Sequence, residues 1–157
     1  MVFGVFDLLH PGHVDFLKQA KSLGDFLIVS VARDVNVIRV KDLRPVHDEK
    51  RRMANLTAVP YVDRIVLGGL RDPWPHIVKE EPSVIALGYD QGTYVGARPA
   101  RPNGHSGGGE GRGMRELKKF EEELQSRGLK KIRVVRMKPF WPEVYKSKLI
   151  RNKYHEI

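Results

Sequence analysis

The chain has 157 residues, 30% of them charged and 41% hydrophobic, which is the length and balance of one folded domain rather than a disordered segment or a membrane bundle. It contains no cysteine, which excludes thiol catalysis, cysteine-based zinc sites and disulfide scaffolds. No apolar run approaches the roughly 20 residues needed to cross a bilayer, and Asp7 interrupts the first apolar stretch without a basic leader. We therefore expect a soluble, cytoplasmic protein with no secretory signal.

The net charge of +9 is unevenly distributed. Residues 93–157 hold 16 of the 28 Lys and Arg and 7 of the 19 Asp and Glu, so they carry the whole excess. Such a segment attracts phosphate-bearing partners, either small anions or nucleic acid, unless it is only a solvated basic surface.

Short apolar runs alternate with amphipathic stretches along the chain. The predicted strands are Met1–Val5, Phe26–Ala32, Arg64–Leu67, Val84–Leu87 and Ile132–Val135. The predicted helices are His13–Leu23, Asp48–Ala58, Trp74–Lys79 and Met114–Ser126. Gly24 and Gly128 follow two of these helices, where a left-handed C-terminal cap is expected. This order predicts a single α/β domain, a Rossmann-like doubly wound parallel sheet of about five strands flanked by helices.

Ligands of such sheets bind beyond the carboxyl ends of the strands, near the point where the strand order reverses. Two histidines, His10 and His13, stand where the first strand gives way to a helix N-terminus. Backbone N–H groups and the helix dipole favour an anion there, and both imidazoles can donate hydrogen bonds to phosphate oxygens. The alternative is that one histidine caps the helix and the other packs in the core.

Residues 4–13, GVFDLLHPGH, carry the G-x-F-D-x-x-H-x-G-H signature and so resemble the cytidylyltransferase-like nucleotidyltransferases. The resemblance implies that His10 and His13 hold a triphosphate and stabilise the transition state without a covalent intermediate. It also implies that Val5, Phe6, Pro11 and Gly12 of the same motif contact the nucleotide.

Further stretches extend the resemblance. Lys41 is similar to the family lysine that reaches the phosphates from the opposite side, although it can also be read as a surface lysine. Arg52 resembles the arginine of the R-x-x-x-V element and is predicted to bind the nucleotide, with Arg51 and Lys50 competing for that place.

Two later segments complete the predicted site. Gly88 and Asp90 lie in a stretch that resembles the L-G-x-D loop, where the nucleotide base is read. Ser147 lies in a stretch similar to the S/T-S/T-x-I element that contacts the phosphates, but Lys146 replaces its first hydroxyl residue, and an ordinary basic helix is the alternative.

Within this superfamily the chain most resembles the archaeal FAD synthases, which transfer AMP from ATP to FMN and release pyrophosphate. ATP and FMN are the implied substrates, Mg²⁺ the implied cation, and a homodimer the implied assembly. A cytidylyltransferase acting on glycerol 3-phosphate or a similar phosphorylated alcohol is the alternative. Pro60 stands where those enzymes typically have arginine, which counts against it.

Four histidines, His47, His76, His105 and His155, lack the spacing of a metal site. The cation is therefore expected to arrive with the triphosphate, and Asp7 is the nearest candidate for a carboxylate ligand. That carboxylate can instead serve only to fix its loop.

Residues 93–113 form a Gly, Pro and Arg-rich insertion that we expect to be mobile. The chain also begins at the first strand, where the family has several preceding residues, so either this strand is short or the start is truncated. A function of another class, nucleic-acid binding on the same scaffold, would use Phe140, Trp141 and Tyr145 as stacking faces. The same aromatics can close the core or line a flavin site.

Overall fold

The structure is a computed structural model that describes residues 1–70, 74–89, 91, 110–145 and 150. Its strands are β1 (Val2–Gly4), β2 (Ile28–Val31), β3 (Arg64–Leu67), β4 (Val84–Leu87) and β5 (Arg133–Arg136). Its helices are α1 (Pro11–Lys21), α2 (Asp34–Lys41), α3 (Glu49–Leu56), α4 (Trp74–Glu80) and α5 (Glu110–Ser126). The predicted α/β class is confirmed.

The five strands form one parallel sheet in the order β3-β2-β1-β4-β5. The chain moves outward from β1 to β3 and then crosses to the other side of β1 to add β4 and β5. The strand order therefore reverses at β1 and β4, and their carboxyl ends mark the crevice where a ligand is expected.

Two apolar cores cover the two faces of this sheet. On one face α4 and α5 contribute Trp74, Ile77, Phe120 and Leu124. On the other face α1 and α3 contribute Leu17, Ala20 and Leu56. Every residue of β1 and β2 is buried, as expected for strands covered on both sides, and Ser30 is the one polar residue among them.

Helix α2 is absent from the sequence-based prediction, which assigned no helix between the second strand and Lys41. Its eight residues include Val35, Val37, Ile38 and Val40, and such β-branched side chains disfavour helix in isolation. Contacts to distant residues compensate. The Asp34 N–H donates to Glu49 Oε2 over 2.9 Å, and the Glu49 N–H donates to Asp34 Oδ2 over 3.1 Å, so the two helices cap each other.

Two further predictions need correction. Helix α5 begins at Glu110, four residues before its predicted start, so the last part of the 93–113 insertion is helical; residues 92–109 lie outside the described part of the chain. Gly128 has the expected left-handed backbone, with φ of 80°, but Gly24 does not, because α1 ends at Ser22 with ordinary helical angles. Within the described residues, no helix is long and apolar enough to span a bilayer.

Candidate active site

The loop between β1 and α1 leaves the switch point of the sheet with an unusual backbone. Phe6 and Leu8 both have positive φ, 52° and 51°, a region that bulky residues rarely adopt. Gly4 permits this path, since a Cβ there would lie 2.7 Å from the buried Phe6 ring. Backbone strain of this kind is typical of segments whose geometry serves a ligand.

Asp7 fixes this loop through its side-chain carboxylate. Its buried carboxylate accepts hydrogen bonds from the backbone N–H groups of Val46 and His47, at 2.8 and 3.0 Å. Both oxygens thus hold the segment before α3 against the segment before α1, which supports the loop-fixing alternative. No group of three His, Cys, Asp or Glu suited to a metal ion occurs in the described ranges, and a metal role for Asp7 stays a prediction.

His10 and His13 stack on each other at the start of α1. Their ring centroids are 3.8 Å apart and the planes differ by 27°. His10 is the N-cap residue, yet its side chain caps nothing; Pro11 opens the helix. At Gly12 a Cβ would lie 3.0 Å from the His10 ring, so a side chain there would press against this imidazole. The structure thus brings the two predicted histidines together at a helix N-terminus.

Both imidazoles are held in the neutral form. The pKa of His13 is lowered to about 3, mainly by burial and additionally by His10 and the positive charge of Lys41, while Asp7 opposes the shift. Burial also lowers the pKa of His10. A neutral imidazole can donate one N–H to an incoming phosphate, and a bound polyanion would favour protonation. Binding of a negatively charged ligand would therefore raise the pKa of both histidines.

Lys41 is the last residue of α2 and its side chain is exposed. The charge lies close enough to His13 to affect the pKa of that residue. The structure thus places Lys41 on the β2 side of the histidines, where its flexible ammonium can approach an anion held by α1.

Arg52 is fully buried, and its guanidinium faces protein rather than solvent. It donates to the carbonyls of Val5, Ala32 and His47, and forms a 2.7 Å ion pair with Asp34. This arrangement joins the ends of β1 and β2 to the starts of α2 and α3. It favours a supporting role for Arg52 over the nucleotide contact predicted from the sequence.

The loop after β4 lies across the switch point from the histidines. The Gly88 N–H donates to Gln91 Oε1 at 2.8 Å, and Gln91 Nε2 donates to the carbonyl of Phe3 in β1, also at 2.8 Å. Gln91 thereby attaches this loop to the strand that carries the histidine motif. Asp90, predicted to read the base, lies outside the described residues, as does Ser147.

Arg136, the last residue of β5, was missed by the sequence analysis. Its Nη1 donates to the carbonyls of Gly88, Tyr89 and Gln91, at 3.3, 3.1 and 2.7 Å. Only its position at the end of a predicted strand could have singled it out. Arg136 thus fixes the β4 loop from the side opposite to Gln91.

The segment after β5 returns to the histidines. The Tyr145 ring lies 6.4 Å from the His10 ring, nearly parallel to it, and Phe140 stacks on Tyr145 at 5.9 Å. The basic C-terminal region therefore reaches the same edge of the sheet as the loops after β1 and β4.

Comparison with known proteins agrees with this geometry. Residues 1–153 match the family model described as cytidylyltransferase-like. An FAD synthase of Archaeoglobus profundus is 42% identical over 135 residues, which cover 86% of this chain and 71% of that protein. An FAD synthase of Aciduliprofundum boonei is 39% identical over 140 residues, covering 89% and 78%.

Among solved structures, a lipopolysaccharide core biosynthesis protein from Thermoplasma volcanium has a similar fold. The TM-score is 0.69 at 31% identity, and the match covers 89% of this chain and 95% of that one. The likeness therefore extends over the sheet and the helices around it.

Proposed function

The chain belongs to the cytidylyltransferase-like family, and we propose on this basis that it transfers AMP from ATP to FMN, giving FAD and pyrophosphate. The observation that carries the proposal is the stacked pair His10 and His13 at the N-terminus of α1, where the strand order of the sheet reverses. The relatives most useful for the substrates are FAD synthases at 39 and 42% identity.

In this reaction a phosphate oxygen of FMN attacks the α-phosphorus of ATP. A new P–O bond forms as the bond between the α-phosphorus and the bridging oxygen breaks, and that oxygen leaves with pyrophosphate. The helix N-terminus orients the triphosphate, while His10, His13 and Lys41 offset the charge that develops on its oxygens. Positioning and electrostatics therefore supply the rate enhancement, and no side chain needs to act as a nucleophile.

The proposed reaction also uses a divalent cation, and Mg²⁺ is the first candidate. Mg²⁺ keeps several of its waters and binds substrate phosphates together with one or two carboxylates. Asp7 is the carboxylate of the motif and would hold the cation on an oxygen that also accepts a backbone hydrogen bond. We infer that the cation enters with ATP and neutralises its phosphates.

Cytidylyl transfer and nucleic-acid binding, the two alternatives, have less support. AMP transfer is favoured over cytidylyl transfer to glycerol 3-phosphate because both relatives described above are FAD synthases. Nucleic-acid binding would explain the basic C-terminal region, but it would not explain two stacked histidines at the N-terminus of α1. A cytoplasmic homodimer remains part of the proposal by family resemblance.

The test is pyrophosphate release with Mg²⁺, crossing ATP and CTP against FMN, glycerol 3-phosphate and phosphopantetheine. We expect turnover only with ATP and FMN, and a loss of about 100-fold or more in His13→Ala. His76→Ala is the matched control, because this half-buried histidine on α4 bonds Ser30 and lies outside the motif.

Other outcomes of this test are equally informative. Turnover with CTP and glycerol 3-phosphate would establish the cytidylyl alternative. Silence in every pair would direct attention to nucleic-acid binding, whose affinity should fall steeply with added salt.

A further inference from the structure

Four aromatic rings form a continuous series that begins at the candidate active site; we call it the aromatic ladder. It consists of His10, Tyr145, Phe140 and Trp141, with successive ring centroids 6.4, 5.9 and 6.2 Å apart. All three pairs are stacked, with interplanar angles between 12° and 27°. The ladder therefore presents its ring faces in a similar orientation from the histidine outward.

Trp141, at the outer end of the ladder, is 62% exposed. Tryptophan is a large apolar residue, and leaving it in water forgoes the stabilisation that its burial would give. Its backbone is also strained, with φ of 42°, a region that bulky residues adopt only when the surrounding structure enforces it. The exposed side chain and the strained backbone are both unfavourable, and their occurrence at one residue indicates that the indole binds a ligand.

The surrounding turn enforces this position. The backbone N–H groups of Val144 and Tyr145 both donate to the carbonyl of Trp141 at 2.9 Å, which closes a compact turn at this residue. The same turn fixes Tyr145 beside His10, where its Cβ is also close to Gly12. One short segment thus sets both the outer and the inner end of the ladder.

We propose that the aromatic ladder is the binding site for the isoalloxazine ring of the acceptor, stacked on Trp141; this rests on the proposed function. The reaction requires two planar heterocycles near one triphosphate site. The adenine already has a candidate in the β4 loop, which Gln91 and Arg136 hold at the switch point. The ladder offers stacking faces, and these suit a large planar aromatic ring such as isoalloxazine.

The reaction geometry agrees with this assignment. The phosphate of FMN is at the end of a flexible ribityl chain, so its ring must lie some distance from the α-phosphorus that the phosphate attacks. A ring on Trp141 lies at the far end of a series whose near end is His10. The ribityl chain would leave the ring on its His10 side and direct the phosphate toward the stacked histidines.

Binding without ATP tests the proposal independently of turnover. FMN and riboflavin are titrated with wild type, Trp141→Ala and Trp141→Phe, following the quenching of flavin fluorescence and the shift of its visible absorption. We expect Trp141→Ala to weaken both flavins by about tenfold and Trp141→Phe to restore most of the affinity. Phe26→Ala, which removes another aromatic ring, 60% exposed and outside the ladder, should change neither flavin affinity.

ATP is titrated against the same proteins to distinguish a flavin site on Trp141 from an adenine site. If Trp141→Ala leaves flavin binding intact, or if it weakens ATP and spares the flavins, the assignment is overturned. In steady-state assays the variant should raise the KM for FMN more than it lowers kcat. Wild type that produces FAD while Trp141→Ala binds FMN normally would reject the ladder and keep the function, whereas wild type that produces no FAD from ATP and FMN would reject the function itself.

Discussion

At the scale of single residues, the site depends on side chains that position others. Arg136 is the clearest case, because one nitrogen serves three carbonyls of the β4 loop. Its Nε and Nη2 are buried without a hydrogen-bond partner among the described residues, a cost that a purely structural arginine rarely carries. We therefore place it as a positioning residue for the nucleotide-binding loop.

We expect Arg136→Met to raise the KM for ATP by about tenfold with a smaller change in kcat, since the loop loses its support before the chemical step is affected. Arg136→Lys should recover part of the loss, because a lysine keeps the charge but loses the fork of donors. Initial-rate kinetics at varied ATP and FMN measure this, with the exposed Arg133→Met on the same strand as control. An equal rise in the KM for FMN would contradict the assignment.

At the scale of elements, Arg52 joins four chain segments that the sheet brings together. Its donors satisfy the carbonyls of Val5, Ala32 and His47, and its charge pairs with Asp34. Removing the guanidinium would take a charged donor away from these buried and half-buried acceptors. The N-termini of α2 and α3, which cap each other through Asp34 and Glu49, would lose their common anchor.

We expect Arg52→Leu to lower the free energy of unfolding by about 3 kcal/mol, in the range for breaking a buried ion pair. Arg51→Leu is the matched control, because this neighbour is exposed and should change stability by less than about 0.5 kcal/mol. Urea unfolding followed by circular dichroism measures both. Equal stabilities of the two variants would show that the buried network contributes nothing specific.

Elements differ in how far the sequence predicts them. Apolar runs placed all five strands within two residues at each end, because most strand residues that pack between two layers of helices are apolar. In α5, the helical spacing of Leu117, Phe120 and Leu124 likewise matches the face that packs in the core. Helix α2 escaped prediction because its stability comes from Glu49, fifteen residues from Asp34 along the chain.

The residues of the candidate site also differ in how well the sequence predicts them. The histidine pair is local, so its spacing and its place after a strand were sufficient to find it. The support of the β4 loop by Arg136 and the contact of Tyr145 with His10 join residues 45 or more positions apart. Long-range contacts of this kind leave no periodic signal in one sequence. The burial of Arg52 belongs to the same class.

At the scale of the whole molecule, His13 links stability to pH. Its pKa is 6.5 in an unfolded chain and about 3 in the folded one, so the unfolded state takes up a proton first as the pH falls. This contribution is constant above about pH 7, and stability is progressively lost between pH 6.5 and 3. The folded protein tolerates acid less well because this imidazole is buried neutral.

We therefore expect His13→Gln to show a flatter decline of the unfolding free energy between pH 6.5 and 4 than wild type. The difference between the two curves isolates His13 from the carboxylates that both proteins share. Urea unfolding of the ligand-free proteins at half-unit pH steps measures it. Curves that stay parallel over this interval would mean that the imidazole titrates normally in the folded state.

The strand order has a consequence for synthesis. Strand β1 pairs with β2 on one side and β4 on the other, but β4 begins 80 residues after β1 ends. At a translation rate of roughly 5–20 residues per second, several seconds pass between the synthesis of β1 and that of β4. During that interval the hydrogen-bonding groups on one side of β1 are an open edge that another chain can occupy. Because both candidate ligand loops flank this junction, the nascent protein becomes competent to bind substrate only after that edge has closed.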